Sequence, residues 1–429
     1  MNAPNQTPSL AHNVTRISHL DLPGAGQVYV DGKYAYIGHI TNKEGLGTSI
    51  LDVSNPRKPR LVSRIPVGDA NSHSHKARVI GDIMIVNMEQ NLTAIGRKAD
   101  ELPKLRTQLT AALGRPPTHG EIAEKLGVKE SDIPAVEAAE KSPYQQGGFK
   151  IYDVSDRAKP RLITHHRTHG RGVHRFDFDG RYAYISPTWD GYLGNIVMIL
   201  DLKDPARPEE VGRWWMPGQW TAGGEKPSWT GAAHKCHHPL RYGNRLYTSY
   251  WHGGFVILDI EDMTKPWPVS HLDWSPPFPW PTHTCLRIPF KIDNRDFMVV
   301  SDEDVVRLEG CPPYPSAFLW IVDITDEAHP MPIATFQLDG IPPEEQPYMT
   351  GCHQPCEKVT GTEIPVAWFA HGLRIVDISR PHAPREVAHF LPDPPPGSTR
   401  VQSNDVTVDE RGLIYLLDRV RGLHILERI

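Results

Sequence analysis

The feature that most constrains the fold is a repeated segment with an apolar run, an Asp, an apolar residue and a Pro seven positions after the Asp. Six copies share it, with these Asp and Pro residues: Asp52 and Pro59, Asp153 and Pro160, Asp201 and Pro208, Asp259 and Pro266, Asp323 and Pro330, Asp377 and Pro384. A degenerate seventh copy, LHILERI, has Glu427 at the Asp position. Successive positions are 101, 48, 58, 64, 54 and 50 residues apart. A period of about 50 residues made of short strands predicts four-stranded propeller blades.

Each repeat contains four strand-like runs, as in GQVYVDG, KYAYIGH, TSILDVS and RLVSRIP, with turn residues between them. The last repeat has only three such runs after Ser403, and the segment 14–22, VTRISHLDL, is expected to supply the fourth. Joining the two termini in one blade would leave no open sheet edge. The sequence therefore predicts an all-β, seven-bladed propeller over residues 14–429, preceded by a disordered tail at 1–13.

The repeated runs ILDVS, IYDVS, ILDLK, ILDIE, IVDIT and IVDIS resemble those of the LVIVD-repeat propeller family. The resemblance covers nearly the whole chain apart from one insertion. It implies the propeller fold but little about activity, because propellers carry many functions.

The spacing of 101 residues reveals an insertion in blade two at about 91–146. Its Ala, Leu, Glu and Lys content and its apolar residues three and four apart predict about three helices. The stretch LGRPPTHGEIAEKLGV is similar to a helix-turn-helix piece of bacterial sigma factors. Since the segment is short, acidic in its second half and embedded in a blade, we expect a lid or a homo-oligomer contact rather than DNA binding.

Composition argues against several classes of partner. The net charge is −5, and the charges are interspersed without a basic stripe, so no nucleic-acid partner is expected. No apolar run approaches the roughly 18 residues that span a membrane. The beginning, MNAPNQTPSLAHN, lacks the pattern of a secretory signal. Five cysteines are an odd and low number, which favours a reducing compartment, and we predict a cytoplasmic protein.

The chain has 22 histidines, and five of them align at the start of the innermost strand of successive blades. These are His75, His174, His234, His283 and His353. Blades one and seven carry Gly26 and Asn404 there, so the repeat itself does not require histidine. Innermost strands line the propeller axis, and converging neutral imidazoles need a cation between them. We therefore predict a metal ion on the axis, held by some or all of these five, with any others acting as acid–base or outer-shell groups.

Further groups are expected at the same end of the channel. Glu89 or Asp302 could orient a ligand imidazole, and His252 or His371 could act as a base. The pocket for a small aromatic or hydrophobic substrate is predicted to involve four tryptophans: Trp220, Trp229, Trp251 and Trp280. Cys236 and Cys285 are two residues after His234 and His283, where we favour packing over metal ligation.

This plan is similar to that of carotenoid-cleaving oxygenases, seven-bladed propellers with Fe(II) on four axial histidines. It also resembles selenium-binding, methanethiol-oxidising propellers, whose WLHG run is echoed by Trp251, His252 and Gly253. The resemblance is one of architecture and implies a metal-dependent oxidoreductase, with Fe(II) favoured and Cu, Zn or Mn possible. A hydrolase or lyase at the same metal and a non-catalytic scaffold are the alternatives.

Overall fold

The computed structural model describes residues 10–41, 44–69, 71–91, 94–141, 144–229, 234–308, 310–311, 315–338, 349–394 and 400–429. Seven antiparallel sheets follow one another along the chain, and each corresponds to one repeat. The innermost strand of every sheet contacts those of its two neighbours, and the seventh contacts the first. The prediction of an all-β, seven-bladed propeller is therefore confirmed.

The strands of the first four blades, from the axis outwards, begin and end as follows. Blade one has Ala25–Asp31, Tyr34–His39, Leu46–Asp52 and Arg60–Pro66. Blade two has Ser72–His73 with Ala77–Ile80, then Ile83–Gln90, Gly148–Asp153 and Arg161–Arg167. Blade three has Val173–Phe178, Tyr182–Pro187, Val197–Asp201 and Glu209–Trp214. Blade four has Lys235–Tyr242, Arg245–Trp251, Phe255–Asp259 and Trp267–Leu272.

The last three blades follow the same order. Blade five has Thr282–Arg287, Phe297–Asp302, Leu319–Asp323 and Met331–Phe336. Blade six has Gln354–Pro355, Glu363–Trp368, Gly372–Asp377 and Arg385–Phe390. Blade seven has Ser403–Val408, Ile414–Asp418 and Gly422–Arg428, and its outer strand is Val14–Leu20.

The repeated Asp ends the third strand of its blade and organises the turn into the fourth. The Oδ1 atom of Asp52 accepts a hydrogen bond from the backbone N–H of Ser54 at 2.9 Å. The Asp of each of the other five full repeats accepts the same bond from the residue two positions on. A short carboxylate that folds back on its own backbone favours a turn, which explains why this residue recurs in every full repeat.

The N-terminal strand closes the ring as expected. Val14–Leu20 pairs antiparallel with Gly422–Arg428, so both termini share blade seven. Residues 1–9 of the expected tail lie outside the described part of the chain. Ala11 and His12, which we also expected to be disordered, instead form a short strand against Phe390 and His389 on blade six.

The apolar core is divided among the junctions between blades. Seven buried clusters among the described residues each combine side chains from neighbouring blades. Cys236 and Cys285 belong to two of these clusters, where burial raises the pKa of both thiols well above its usual value. Their position supports a packing role.

The insertion in blade two is helical. Its helices are α1 (Ala94–Leu113), α2 (His119–Leu126) and α3 (Ile133–Lys141), with a 3₁₀ turn at Glu130–Asp132. Thr118 and Glu121 form a capping box at the start of α2. The described core of the insertion consists of its own side chains. Its role as a lid or oligomer contact stays a prediction. Among the described residues, no helix combines the length and apolarity needed to cross a membrane.

Candidate metal centre

Irregular pairing in the innermost strands sets the direction of the side chains at the mouth of the channel. In blade four the register shifts between Cys236 and His238, which leaves His237 as the extra residue. His283 lies at the same kind of shift in blade five, as do His174 in blade three and Asn404 in blade seven. A bulge re-aims the side chain it carries, so these residues leave the regular alternation of the strand.

Six histidine rings follow one another along the blades, and we call them the histidine arc. They are His73, His75, His174, His237, His283 and His353. Successive ring centroids are 5.1, 5.0, 4.7, 4.4 and 4.2 Å apart. All are buried except His174, which is partly exposed. Four of the five predicted axial histidines therefore lie together, and two further histidines join them.

His237, not His234, occupies the arc in blade four. His234 precedes the strand, stacks on Trp229 with ring centroids 4.5 Å apart, and has its Nε2 atom 3.9 Å from Asp273. The spacing between each histidine and the glycine of the hairpin that follows would have identified His237 from the sequence. His237 is six residues before Gly243, as His75 and His174 are before Gly81 and Gly180.

Two carboxylates lie along the arc. Glu89 Oε2 is 2.7 Å from His174 Nδ1 and 3.1 Å from His73 Nε2. Glu303 Oε1 is 3.3 Å from His353 Nε2. Glu89 was predicted as a functional residue, whereas Glu303 and His73 were not. Glu303 was not singled out because it stands between Asp302 and Asp304, so residue type alone did not distinguish it.

Hydrogen bonds fix which ring nitrogens carry protons. His237 Nδ1 lies 2.8 Å from the carbonyl oxygen of His283, and His353 Nδ1 contacts that of Asn404. A carbonyl oxygen can only accept, so both Nδ1 atoms donate and the neutral rings keep a lone pair on Nε2. His174 donates from Nδ1 to Glu89 and is therefore in the same state when it is neutral.

The Nε2 lone pairs of His237 and His353 face acceptors rather than donors. His237 Nε2 is 3.0 Å from His174 Nε2, and His353 Nε2 faces the carboxylate of Glu303. Each arrangement needs a proton or a metal cation between the two atoms. Arg175 Nη2 donates to His283 Nε2 at 2.9 Å, so ligation by His283 through that atom would replace this hydrogen bond.

Burial favours the metal over the proton. It lowers the pKa of His237 and His283 well below the usual value and that of His353 to about 4. Burial opposes ionisation of Glu89 and Glu303, but hydrogen bonds and charge from neighbouring histidines leave both pKa values lowered. Neutral imidazoles beside ionised carboxylates are the protonation states that metal binding requires.

Two sets of donors are close enough for one ion each. One is His237, His283 and Glu303, and the other is His73, His75 and Glu89. Within each set, one ligand atom per residue lies within 4.8 Å of the others. Glu303 Oε2, His75 Nε2 and His73 Nδ1 are buried without a hydrogen-bond partner. Two histidines with one carboxylate suit Fe(II) and Zn(II) sites that keep positions open.

The two predicted bases are not in contact with the arc in the described structure. His252 Nε2 donates to the carbonyl oxygen of Val306 at 3.0 Å, and His371 Nε2 lies 2.6 Å from Thr350 Oγ1. His252 is thus bonded to the loop that follows the second strand of blade five, and His371 to the segment that precedes the first strand of blade six.

Of the four predicted pocket tryptophans, Trp251 stacks on an arc histidine, His237, with ring centroids 5.5 Å apart and planes 15° from parallel. Trp229 stacks on His234, and Trp220 packs against Tyr192 and Trp215. Trp280 is buried and donates to the carbonyl oxygen of Pro315. The described contacts therefore place only Trp251 beside the candidate centre.

Comparison with known proteins agrees with this architecture. The family model described as the LVIVD repeat matches residues 24–66, 242–272 and 364–391. The chain carries LVIVD repeats. No curated protein sequence matches it.

Solved structures similar to this propeller share little sequence with it. Saccharomyces cerevisiae Sqt1 has a TM-score of 0.50 at 7% identity, covering 97% of this chain and 88% of that chain. The Pseudomonas aeruginosa periplasmic gluconolactonase PpgL has a TM-score of 0.52 at 12% identity, covering 91% and 93%. A chain of a mitotic checkpoint complex has a TM-score of 0.58 at 8% identity, covering 100% and 97%. These likenesses show the fold alone.

The metal-free propeller is expected to lose stability as the pH falls from about 6.5 towards 4. His353 has a pKa of about 4 in the folded chain, whereas an unfolded histidine titrates near 6.5. Between these values the unfolded chain binds more protons, so each such histidine costs about 1.4 kcal/mol of stability per pH unit of acidification. Urea unfolding at pH 7 and 5 in the presence of a chelator measures how the free energy of unfolding changes with pH. His353→Gln should reduce this change, and equal stability at both pH values would contradict this account.

Proposed function

We propose that this protein is a metal-dependent oxidoreductase whose metal ion is held at the axial end of the propeller by His237, His283 and Glu303. We call these three ligands the primary site, and His174 and His353 lie beside it. The observation that carries the proposal is the buried set of two imidazoles and one carboxylate, whose ligand atoms lie within 4.8 Å of one another. Such a set leaves coordination positions open, and non-haem Fe(II) oxygenases use it for oxygen chemistry.

The surrounding residues support binding and positioning. Glu89 accepts from His174 Nδ1, which turns His174 Nε2 towards His237. The carbonyl oxygen of His283 holds His237 in the same way through Nδ1. Hydrogen bonds of this kind fix the ring orientation of a ligand and raise its basicity. When bound, the metal would supply Lewis acidity and, for iron or copper, redox chemistry.

A small aromatic or hydrophobic molecule is the proposed substrate. Trp251 stacks on His237 and carries the ammonium of Lys235 4.0 Å from its ring centroid, so an aromatic face adjoins the metal ligands. The helical insertion starts beyond Gln90, next to Glu89, at this same end of the channel. A lid formed by it would exclude water from the site, and this role remains part of the proposal.

Hydrolase or lyase chemistry at the same site is the second candidate. Two histidines and a glutamate also hold zinc in hydrolases, where the metal polarises a carbonyl and activates water. The donor set accommodates either metal, so the metal that the protein retains decides between the two. A non-catalytic scaffold would need neither iron nor zinc at this site.

Metal content and oxygen consumption test the proposal together. Protein purified without oxygen is expected to contain iron, and to consume O₂ with aromatic substrates in a reaction that His237→Ala abolishes. His166→Ala, which changes a half-buried histidine on the outer strand of blade two, should retain both properties. Tightly bound zinc without O₂ consumption would contradict the oxidoreductase and favour the hydrolase. Absence of any bound metal would favour the scaffold.

Location and assembly stay proposals. The five cysteines are all free thiols, as expected in a reducing compartment, and we retain a cytoplasmic location on that basis. Contact between copies through the helical insertion is the proposed route to a homo-oligomer.

A further inference from the structure

We propose that the histidine arc holds a second divalent transition-metal ion, on His73, His75 and Glu89, beside the ion of the primary site. The inference rests on the proposed function, because it extends that metal centre to two ions. It differs from the prediction of a single axial ion by assigning His75 to another donor set.

The geometry of the second set is that of a small enclosed site. Glu89 Oε2 is 3.1 Å from His73 Nε2 and 3.9 Å from His75 Nδ1. All three residues are buried, and their ligand atoms lie within 4.8 Å of one another. The three come from the start of blade two and the end of its second strand, so one blade supplies the whole set.

His73 is buried with little hydrogen bonding to replace its contacts with water. Its imidazole is only 8% exposed, Nδ1 has no hydrogen-bond partner, and Nε2 has only the carboxylate of Glu89, 3.1 Å away. A buried polar atom that leaves water without gaining a partner costs free energy. A metal ion between His73 and Glu89 would take up the free lone pair and balance the carboxylate.

His75 can supply its Nδ1 lone pair to the same ion. The backbone N–H of Lys76 donates to Asn87 Oδ1, which turns the amide nitrogen of Asn87 towards His75 Nδ1 at 3.0 Å. That nitrogen also reaches the carbonyl oxygens of Val173 and His174 at 3.1 and 3.2 Å. An amide has two hydrogens for these three acceptors, so Asn87 can release His75 and remain satisfied.

His174 connects the two sites. Its Nδ1 faces Glu89 of the second site, and its Nε2 faces His237 of the primary site. Each site has its own carboxylate, Glu89 or Glu303, so the positive charge of two ions is countered locally. Of the cations near the arc, Arg175 donates to His283 and Lys76 donates to Glu357.

Titration of the metal-free full-length chain with Co(II) alone tests the inference, because visible absorption reports each ion in a nitrogen-rich site. The wild type is expected to bind two equivalents. His73→Ala and His237→Ala should each bind one, and His166→Ala should bind two. If circular dichroism shows that His73→Ala is misfolded, His73→Gln keeps a polar side chain in its place. Glu89→Gln should lose the second ion and retain the first, because Glu89 holds His174, which is not one of the three donors of the primary site.

The outcomes separate this inference from the proposed function. Two equivalents, each lost in its own variant, support both. One equivalent that His237→Ala removes and His73→Ala leaves in place overturns the second site while the primary site stands. No binding by the wild type overturns both.

Discussion

Replacement of His237 by alanine is expected to remove the metal ion from the primary site, whereas replacement of His234 should leave it bound. His237 Nε2 points at His174 Nε2, 3.0 Å away, and is one of the three donors of that site. His234 instead stacks on Trp229 and makes no described contact with the arc. Losing a direct ligand should lower affinity by more than the roughly 10- to 100-fold that loss of a ligand's hydrogen-bond partner costs.

Metal affinity measured by competition with a chromophoric chelator checks this expectation. His234→Ala is a matched control, because both residues are histidines of blade four within four positions of each other. Thermal unfolding of the two metal-free variants shows whether each remains folded. Loss of metal from His234→Ala with retention by His237→Ala would show that the site lies elsewhere.

Shortening one side chain in the closing strand is expected to destabilise the whole ring. Ile17 is 7% exposed and packs in the cluster between blades seven and one. Ile17→Ala removes this contact and leaves a cavity, which costs about 2–4 kcal/mol of the free energy of unfolding. The effect reaches beyond the strand, since Gly422–Arg428 relies on this strand for its outer hydrogen bonds.

Urea unfolding monitored by tryptophan fluorescence measures this change. Leu10→Ala is the control, because Leu10 is 54% exposed and should change stability by less than about 0.5 kcal/mol. A destabilisation of Ile17→Ala no larger than that of Leu10→Ala would mean that the terminal strand does not hold the ring closed.

The architecture could be predicted because its signals are local and repeated. The Asp of each full repeat bonds the residue two positions on, so the same short motif marks each third strand. The missing strand of blade seven and the helices of blade two were likewise visible as departures from the repeat. Closure through Val14–Leu20 followed from counting strands.

The site could be predicted only in part, because bulges and loop geometry determine which side chains point into it. His75, His174, His283 and His353 were found from their equivalent positions. Blade four has three histidines within five residues, and only the register shift at His237 selects among them. The approach of Glu303 to His353 depends on tertiary folding and has no pattern in the sequence. The hydrogen bonds of His252 with Val306 and of His371 with Thr350 likewise cannot be predicted from the sequence.

Anomalous diffraction from crystals of the metal-loaded protein, recorded at the absorption edge of the bound metal, tests the central claim most directly. An anomalous peak is expected within bonding distance of His237, His283 and Glu303, with the imidazole of His174 beside it. A metal peak away from the histidine arc, or no peak there in fully loaded crystals, would contradict it.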